Sequence, residues 1–255
     1  MEHEAFIEEA WAKSESAVKR ILEKGADVYM QEQSSVESAF AEAERTCACV
    51  DERVGGEKMG LPGSGILLGK EKATEIIRAE GLEKISSHEH CGAAALAYNK
   101  LAPEEQAFYG TADAYAQSWT KELADELGIQ YQGHVAVDGD QHVARVVYYD
   151  GTGRFTPTSI ESLPQGFLVS RAEADPKQTA SGVALAAKIA LGDHGFGASR
   201  FATSPLVIIP VGESSLLSKL HEEIEEALKD VPNKDLIHID LGITASARAE
   251  SSKAA

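Results

Sequence analysis

Residues 44–53 read Glu-Arg-Thr-Cys-Ala-Cys-Val-Asp-Glu-Arg. Thr46 to Val50 is a short apolar run of Cys, Ala and Val, which reads as a buried strand. Cys49, Asp51 and Arg53 then place a thiolate, a carboxylate and a guanidinium at alternate positions at its carboxyl end, where open α/β sheets gather their ligands. A distant partner stands at 85–92, Ile-Ser-Ser-His-Glu-His-Cys-Gly. There, Glu83 to Ser87 reads as a second strand that ends on His88, and Cys91 follows three residues later.

The segments between and after these two stretches set the fold class. Gly55, Gly56, Gly60, Gly63 and Gly65, with Pro62, read as a loop. Lys72 to Glu80 reads as a helix with Gly81 as its cap, and Gly92 to Leu101 begins a helix directly after Cys91. Strand, loop, helix, strand, helix in that order implies an α/β fold with a mostly parallel central sheet flanked by helices.

Cys49, His88 and Cys91 together offer two thiolates and one imidazole. That set suits zinc, and three protein ligands leave a fourth tetrahedral position open, the mark of a catalytic site. Zinc so held lowers the pKa of a bound water from about 15.7 towards 7. Asp51 lies two residues beyond Cys49 on the same strand face, placed to accept a hydrogen bond from that water. Arg53 can hold Asp51 in a charge-assisted pair and keep it off the metal. The bland readings are buried core residues for the three ligands and a structural ion pair for Asp51–Arg53. Cys47 reads as a buried thiol, with a spare metal ligand as its alternative. His90 is either a proton relay or an ordinary, partly exposed histidine.

Cys49-Val-Asp51-Glu-Arg53 followed by His88-Glu-His-Cys91-Gly92 resembles the paired motif of the β-class carbonic anhydrases, Cys-x-Asp-x-Arg and His-x-x-Cys-Gly. Leu61-Pro-Gly-Ser-Gly65 lies where that family has an Arg-Asn-Ala-Gly segment. The resemblance spans about residues 44 to 101 and implies a β-carbonic-anhydrase-like α/β fold, with Cys49, His88 and Cys91 as zinc ligands and Asp51 and Arg53 as the catalytic dyad. It implies reversible hydration of CO2 to bicarbonate and a proton, and subunits paired through N-terminal helices as a homodimer or larger homo-oligomer. The alternatives are a zinc hydrolase of carbonyl sulfide or carbon disulfide, and a non-catalytic, zinc-stabilised assembly protein.

The rest of the chain fills in the architecture. Phe6, Ile7, Ala10, Trp11, Val18, Ile21 and Leu22 recur at helical spacing over residues 4–24, and Gly25 ends the helix. A short helix is expected after Ser34 and Ser35. This N-terminal arm packs either on its own domain or on a second subunit. Pro103 opens a helix running to Leu127. His134 to Val137 and His142 to Tyr149, joined at Asp138-Gly139-Asp140, read as an added β-hairpin. Gly166 to Ser170 reads as a strand, Thr179 to Leu191 as an alanine-rich helix, Pro205 to Val211 as a buried strand, Leu216 to Leu228 as an amphipathic helix and Leu236 to Leu241 as a last strand. Gly192 to Arg200 is a polar, glycine-rich loop. The expected organisation is one α/β domain over residues 1–255, with an arm at 1–43, a zinc-binding core at 44–243 and a flexible tail at 244–255.

Composition sets the boundaries on partners. The chain has 255 residues, 43% hydrophobic and 25% charged, as in ordinary globular domains. Acidic residues outnumber basic ones 41 to 24, for a net charge of −17, which argues against nucleic acid and anionic membranes as partners. No apolar run approaches the roughly 18 residues that span a bilayer. The first residues carry no secretory pattern, and three cysteines suit a reducing compartment, so a cytoplasmic location is expected.

Overall fold

The computed structural model describes residues 2–33, 36–41, 44–139 and 141–245. The expected tail lies outside the described residues from position 246 on, as do Ser34, Ser35 and Asp140.

The chain opens with helices α1 (Glu2–Lys24) and α2 (Ala26–Gln31) and a 3-10 turn at Val36–Phe40. Strands β1 (Thr46–Cys49) and β2 (Lys58–Leu61) follow, then a tight helical turn at Pro62–Leu68, α3 (Lys70–Ala79), β3 (Lys84–His88), α4 (Gly92–Tyr98), α5 (Pro103–Tyr109), α6 (Ala112–Leu127) and β4 (Gln130–Val135). The second half comprises β5 (Val146–Asp150), β6 (Gly166–Ser170), α7 (Pro176–Leu191), α8 (Ala198–Phe201), β7 (Leu206–Gly212), α9 (Ser214–Ala227), β8 (Ile237–Ile239) and β9 (Ile243–Thr244).

The strands form two sheets, in the orders β2-β1-β3-β4 and β6-β5-β7-β8, with β9 beside the far end of β7. All pairings among the described residues are parallel, as a chain that alternates strands and helices requires. The sheets meet where β2 runs against β6. The Leu168 amide donates to the Val50 carbonyl at 3.0 Å, and the Gly60 amide donates to Ser170 Oγ at 2.9 Å. A Cβ on Gly60 would lie 1.9 Å from the Leu168 carbonyl oxygen, so only glycine permits this approach.

Strand β5 shows how the faces are used. Val147 and Tyr149 enter the apolar cluster that also holds Cys49 and Cys91 and the inner faces of α7 and α9. Val146 and Tyr148 enter the opposite cluster with Val18 and Ile21 of α1 and Tyr29 and Met30 of α2. A third cluster, with Met59, Leu61, Ile76, Ile77, Ile85 and Leu123, sits under α3 and α6. The arm therefore packs on its own chain. Trp11 meets Phe196 and Phe201 edge-on at 4.9 and 5.4 Å between ring centroids. The fully buried Arg145 lies 3.4 Å from the Trp11 ring centroid and donates to Glu15 at 2.8 Å.

Three sequence expectations are corrected. Among the described residues of 134–149 there is no hairpin: β4 pairs with β3 in one sheet, and β5 lies between β6 and β7 in the other. The run Val-Val-Tyr-Tyr is buried on both faces, as a central parallel strand is, whereas a hairpin arm alternates. The segment between β4 and β5 instead crosses from one sheet to the other. The glycine-rich stretch after Arg53 is not all loop, since it contains β2. The helix expected from 103 to 127 is two helices, broken at Gly110 with φ 74°.

Candidate metal centre

Strands β1 and β3 are neighbours, so their carboxyl ends bring Cys49 and His88 side by side. Three residues, Glu89, His90 and Cys91, carry the chain from β3 into α4. His90 takes the left-handed φ of 53°, and its amide donates to Asp113 Oδ1 at 3.1 Å. That turn sets Cys91, at the cap position of α4, back against Cys49. The three residues expected as ligands are thus together and buried, each at 4% exposure or less.

Their donor atoms suit a divalent metal. They all lie within 4.8 Å of one another. Cys49 Sγ and Cys91 Sγ are 3.9 Å apart, close to the ~3.8 Å that two zinc–sulfur bonds of about 2.3 Å subtend at a tetrahedral angle. His88 Nδ1 lies 2.7 Å from the Glu89 carbonyl oxygen, so Nδ1 donates there and Nε2 is the nitrogen left to face a metal once it gives up its proton. That Nε2 is buried without a hydrogen-bond partner. A buried Nε2 beside two thiols, with Nδ1 held by a backbone carbonyl, is an arrangement that suits a metal-ligating histidine.

Charge gives the same answer. Around the site, Cys49, Cys91, Asp51 and Glu52 are the anionic or potentially anionic groups, and Arg53 and Lys58 are the cations. With both thiols ionised and His88 neutral, as metal binding would require, these groups would carry four negative charges against two, a difference that one divalent cation would close. Without metal, the charges are redistributed. The hydrogen bond from Cys91, aided by the His88 charge and opposed by burial, holds the Cys49 thiol well below its usual range. The same hydrogen bond, together with burial, pushes Cys91 well up. Burial lowers the pKa of His88, but the Cys49 thiolate and Asp51 outweigh it, so His88 is raised. Metal and protons compete for the same atoms.

The expected dyad is formed. Arg53 donates from Nε to Asp51 Oδ1 at 3.0 Å and from Nη2 to Oδ2 at 2.7 Å, and its backbone amide donates to Oδ1 at 2.9 Å. Asp51 Oδ2 stands 3.8 Å from His88 Nε2. Burial opposes ionisation of Asp51, but the Arg53 hydrogen bond and the positive groups around it prevail and hold the carboxyl well below the usual range.

The turn at 62–68 supports Cys49 from the other side. Gly63, Ser64 and Gly65 all take left-handed φ, at 60°, 56° and 100°. This lets the Gly63 amide donate to Cys49 Sγ at 3.3 Å. Cys47 points away into the third cluster, with its thiol 3.6 Å from the Ser64 carbonyl, so it is a buried thiol outside the Cys49–His88–Cys91 group.

The sequence reading missed three residues. Lys58 is buried and donates to the carbonyls of Cys49 and Asp51, both at 2.7 Å, pinning the turn that presents Cys49 and the Asp51–Arg53 pair. Glu52 is buried and faces His142, with Oε2 2.9 Å from Nδ1. Lys58 is at least the first residue of a parallel strand beside β1, a local signal. His142 is 90 positions from Glu52 and leaves none.

No family model matches the chain, and neither the curated proteins nor the solved structures contain one similar to it at a significant level.

Proposed function

We propose that the chain is a zinc-dependent carbonic anhydrase of the β-class pattern, converting CO2 and water reversibly to bicarbonate and a proton. The observation that carries this reading is the placement of a fully engaged Asp51–Arg53 pair beside a buried set of two thiols and one imidazole lone pair. Zinc held there would supply a Lewis acid that makes water nucleophilic near neutral pH.

The protein's own residues do the rest. Asp51 has both oxygens fixed by Arg53, so it is oriented as an acceptor for the reacting water and is not free to move onto the ligands. Arg53 remains charged throughout and keeps Asp51 ionised, so the dyad accepts a hydrogen bond but does not take up the proton. Ile66, Ala93 and Ala94 belong to the same apolar cluster as Cys49 and Cys91 and offer a nonpolar gas a surface that favours it over water. The acidic exterior suits a soluble small-molecule enzyme. Among the described residues, no helix is long and apolar enough to cross a membrane. A homodimer or larger homo-oligomer is part of the reading, supported by the outward-facing Phe108, Leu96 and Phe6, of which Phe108 is 81% exposed.

Stopped-flow CO2 hydration on zinc-replete protein, with Cys49→Ser beside it, tests the proposal. Turnover that is lost in the variant supports it. A stoichiometric zinc protein without turnover refutes it, and sulfide release from carbonyl sulfide or carbon disulfide would then identify the alternative substrate.

A further inference from the structure

We infer that Glu52 and His142 are positioning residues that lock the guanidinium of Arg53 and so keep Asp51 off the metal; this rests on the proposed role of the Asp51–Arg53 pair.

Both side chains are buried, Glu52 at 6% and His142 at 5% exposure, and both lie outside the Cys49–His88–Cys91 group. The two oxygens of Glu52 are divided. Oε2 accepts from His142 Nδ1 at 2.9 Å, and Oε1 accepts from the Val143 amide at 2.9 Å. A buried carboxylate facing Nδ1 puts the proton on that nitrogen and leaves Nε2 as an acceptor. Nε2 faces Arg53 Nη2 at a long 3.5 Å, and Arg53 Nη1 donates to the Gly139 carbonyl. The guanidinium is therefore held on one edge by Asp51 and on the other by the crossing segment between β4 and β5.

That segment is itself anchored. The His142 amide donates to the His194 carbonyl at 2.7 Å, Gln141 Nε2 donates to the Gly195 carbonyl, and the His142 ring packs on Phe167 at 5.2 Å. An arginine paired only with Asp51 would pivot with it. Pinned on its far edge it cannot, and Asp51 Oδ2 stays 3.8 Å from His88 Nε2. The chain Glu52–His142–Arg53–Asp51 thus runs from the junction of the two sheets to the ligands.

The test variant is His142→Phe, which keeps a ring against Phe167 and removes both imidazole hydrogen bonds. Two readouts are taken. The first is the visible absorption of the Co2+-loaded protein, which reports ligand number and type. The second, on metal-free protein, is solvent exchange of the Arg53 Nε–H by NMR. A changed Co2+ spectrum in His142→Phe that reverts when Asp51→Asn is added, with Arg53 exchange about tenfold faster, supports the inference. An unchanged spectrum and unchanged exchange overturn it. Failure of the wild type to bind Co2+ refutes the metal reading, while the exchange measurement still decides whether His142 holds Arg53. Glu52→Gln, which places an amide NH2 against either Val143 N–H or His142 Nδ1–H, repeats both readouts should His142→Phe fail to fold.

Discussion

Cys49 Sγ and Cys91 Sγ face each other at 3.9 Å, almost twice the length of a disulfide and close to the edge of a zinc–thiolate tetrahedron. In the metal-free protein the Cys91 thiol donates to the Cys49 thiolate, and His88 is raised by both Cys49 and Asp51. Metal must displace those protons. Zinc binding near pH 7 should release about two protons per site. Calorimetry in buffers of different ionisation enthalpy counts them, and zero release would show that the ligands are deprotonated beforehand or not used.

Asp51 carries a second prediction. Asp51→Ala or Arg53→Ala should lower CO2 hydration by roughly 10–100-fold, the usual cost of losing a group that orients a metal site, with zinc content maintained. Equal turnover in Asp51→Ala would mean the pair is only structural.

The same carboxyl sets an acid limit. Its folded pKa is depressed, so its contribution to stability is present above the unfolded value of about 3.9 and is lost as pH falls through the lower folded value. The stability gap between wild type and Asp51→Asn should hold between about pH 5 and 7 and shrink only below about pH 4. Denaturant melts across that range measure it.

Lys58 serves the backbone. Its ammonium donates to two buried carbonyls, and each acceptor left without a donor costs about 1–3 kcal/mol. Lys58→Met should lower Tm by several degrees, at roughly 2–4 °C per kcal/mol for a chain of this size, and should weaken zinc binding by loosening the Cys49–Asp51 turn. An unchanged Tm would show that Lys58 does not hold this turn.

How far these features could be read from sequence follows from distance along the chain. Cys49, Asp51 and Arg53 at alternate positions, and His88 with Cys91 three apart, are local patterns tied to strand ends, and the structure brings all five together. The parallel α/β order was legible for the same reason, because apolar runs and helical periodicity are local. The hairpin was misread because Asp138-Gly139 imitates turn chemistry, while the feature that decides the pairing, burial of Val146–Asp150 on both faces, depends on β6 and β7. Glu52 and His142 went unnoticed because their meeting depends on how two sheets join edge to edge, at Gly60 and Leu168.

Cys47 offers a control. Burial first, and then the Cys49 charge, push its thiol up to about 12. A thiol raised in the folded state contributes stability below the unfolded value of about 8.5 and loses it as pH rises towards 12. Metal-free protein should therefore lose stability above about pH 8.5, and Cys47→Ala should lose less. In the native protein Cys47 should stay unlabelled by a thiol reagent that modifies Cys49.

In the proposed function, Cys49, His88 and Cys91 hold a catalytic zinc. The most direct test is zinc stoichiometry and stopped-flow CO2 hydration on the same sample at about pH 8. One zinc per chain is expected, with turnover that chelation removes and zinc restores. A chain that holds its zinc and leaves the uncatalysed rate of CO2 hydration unchanged would contradict it.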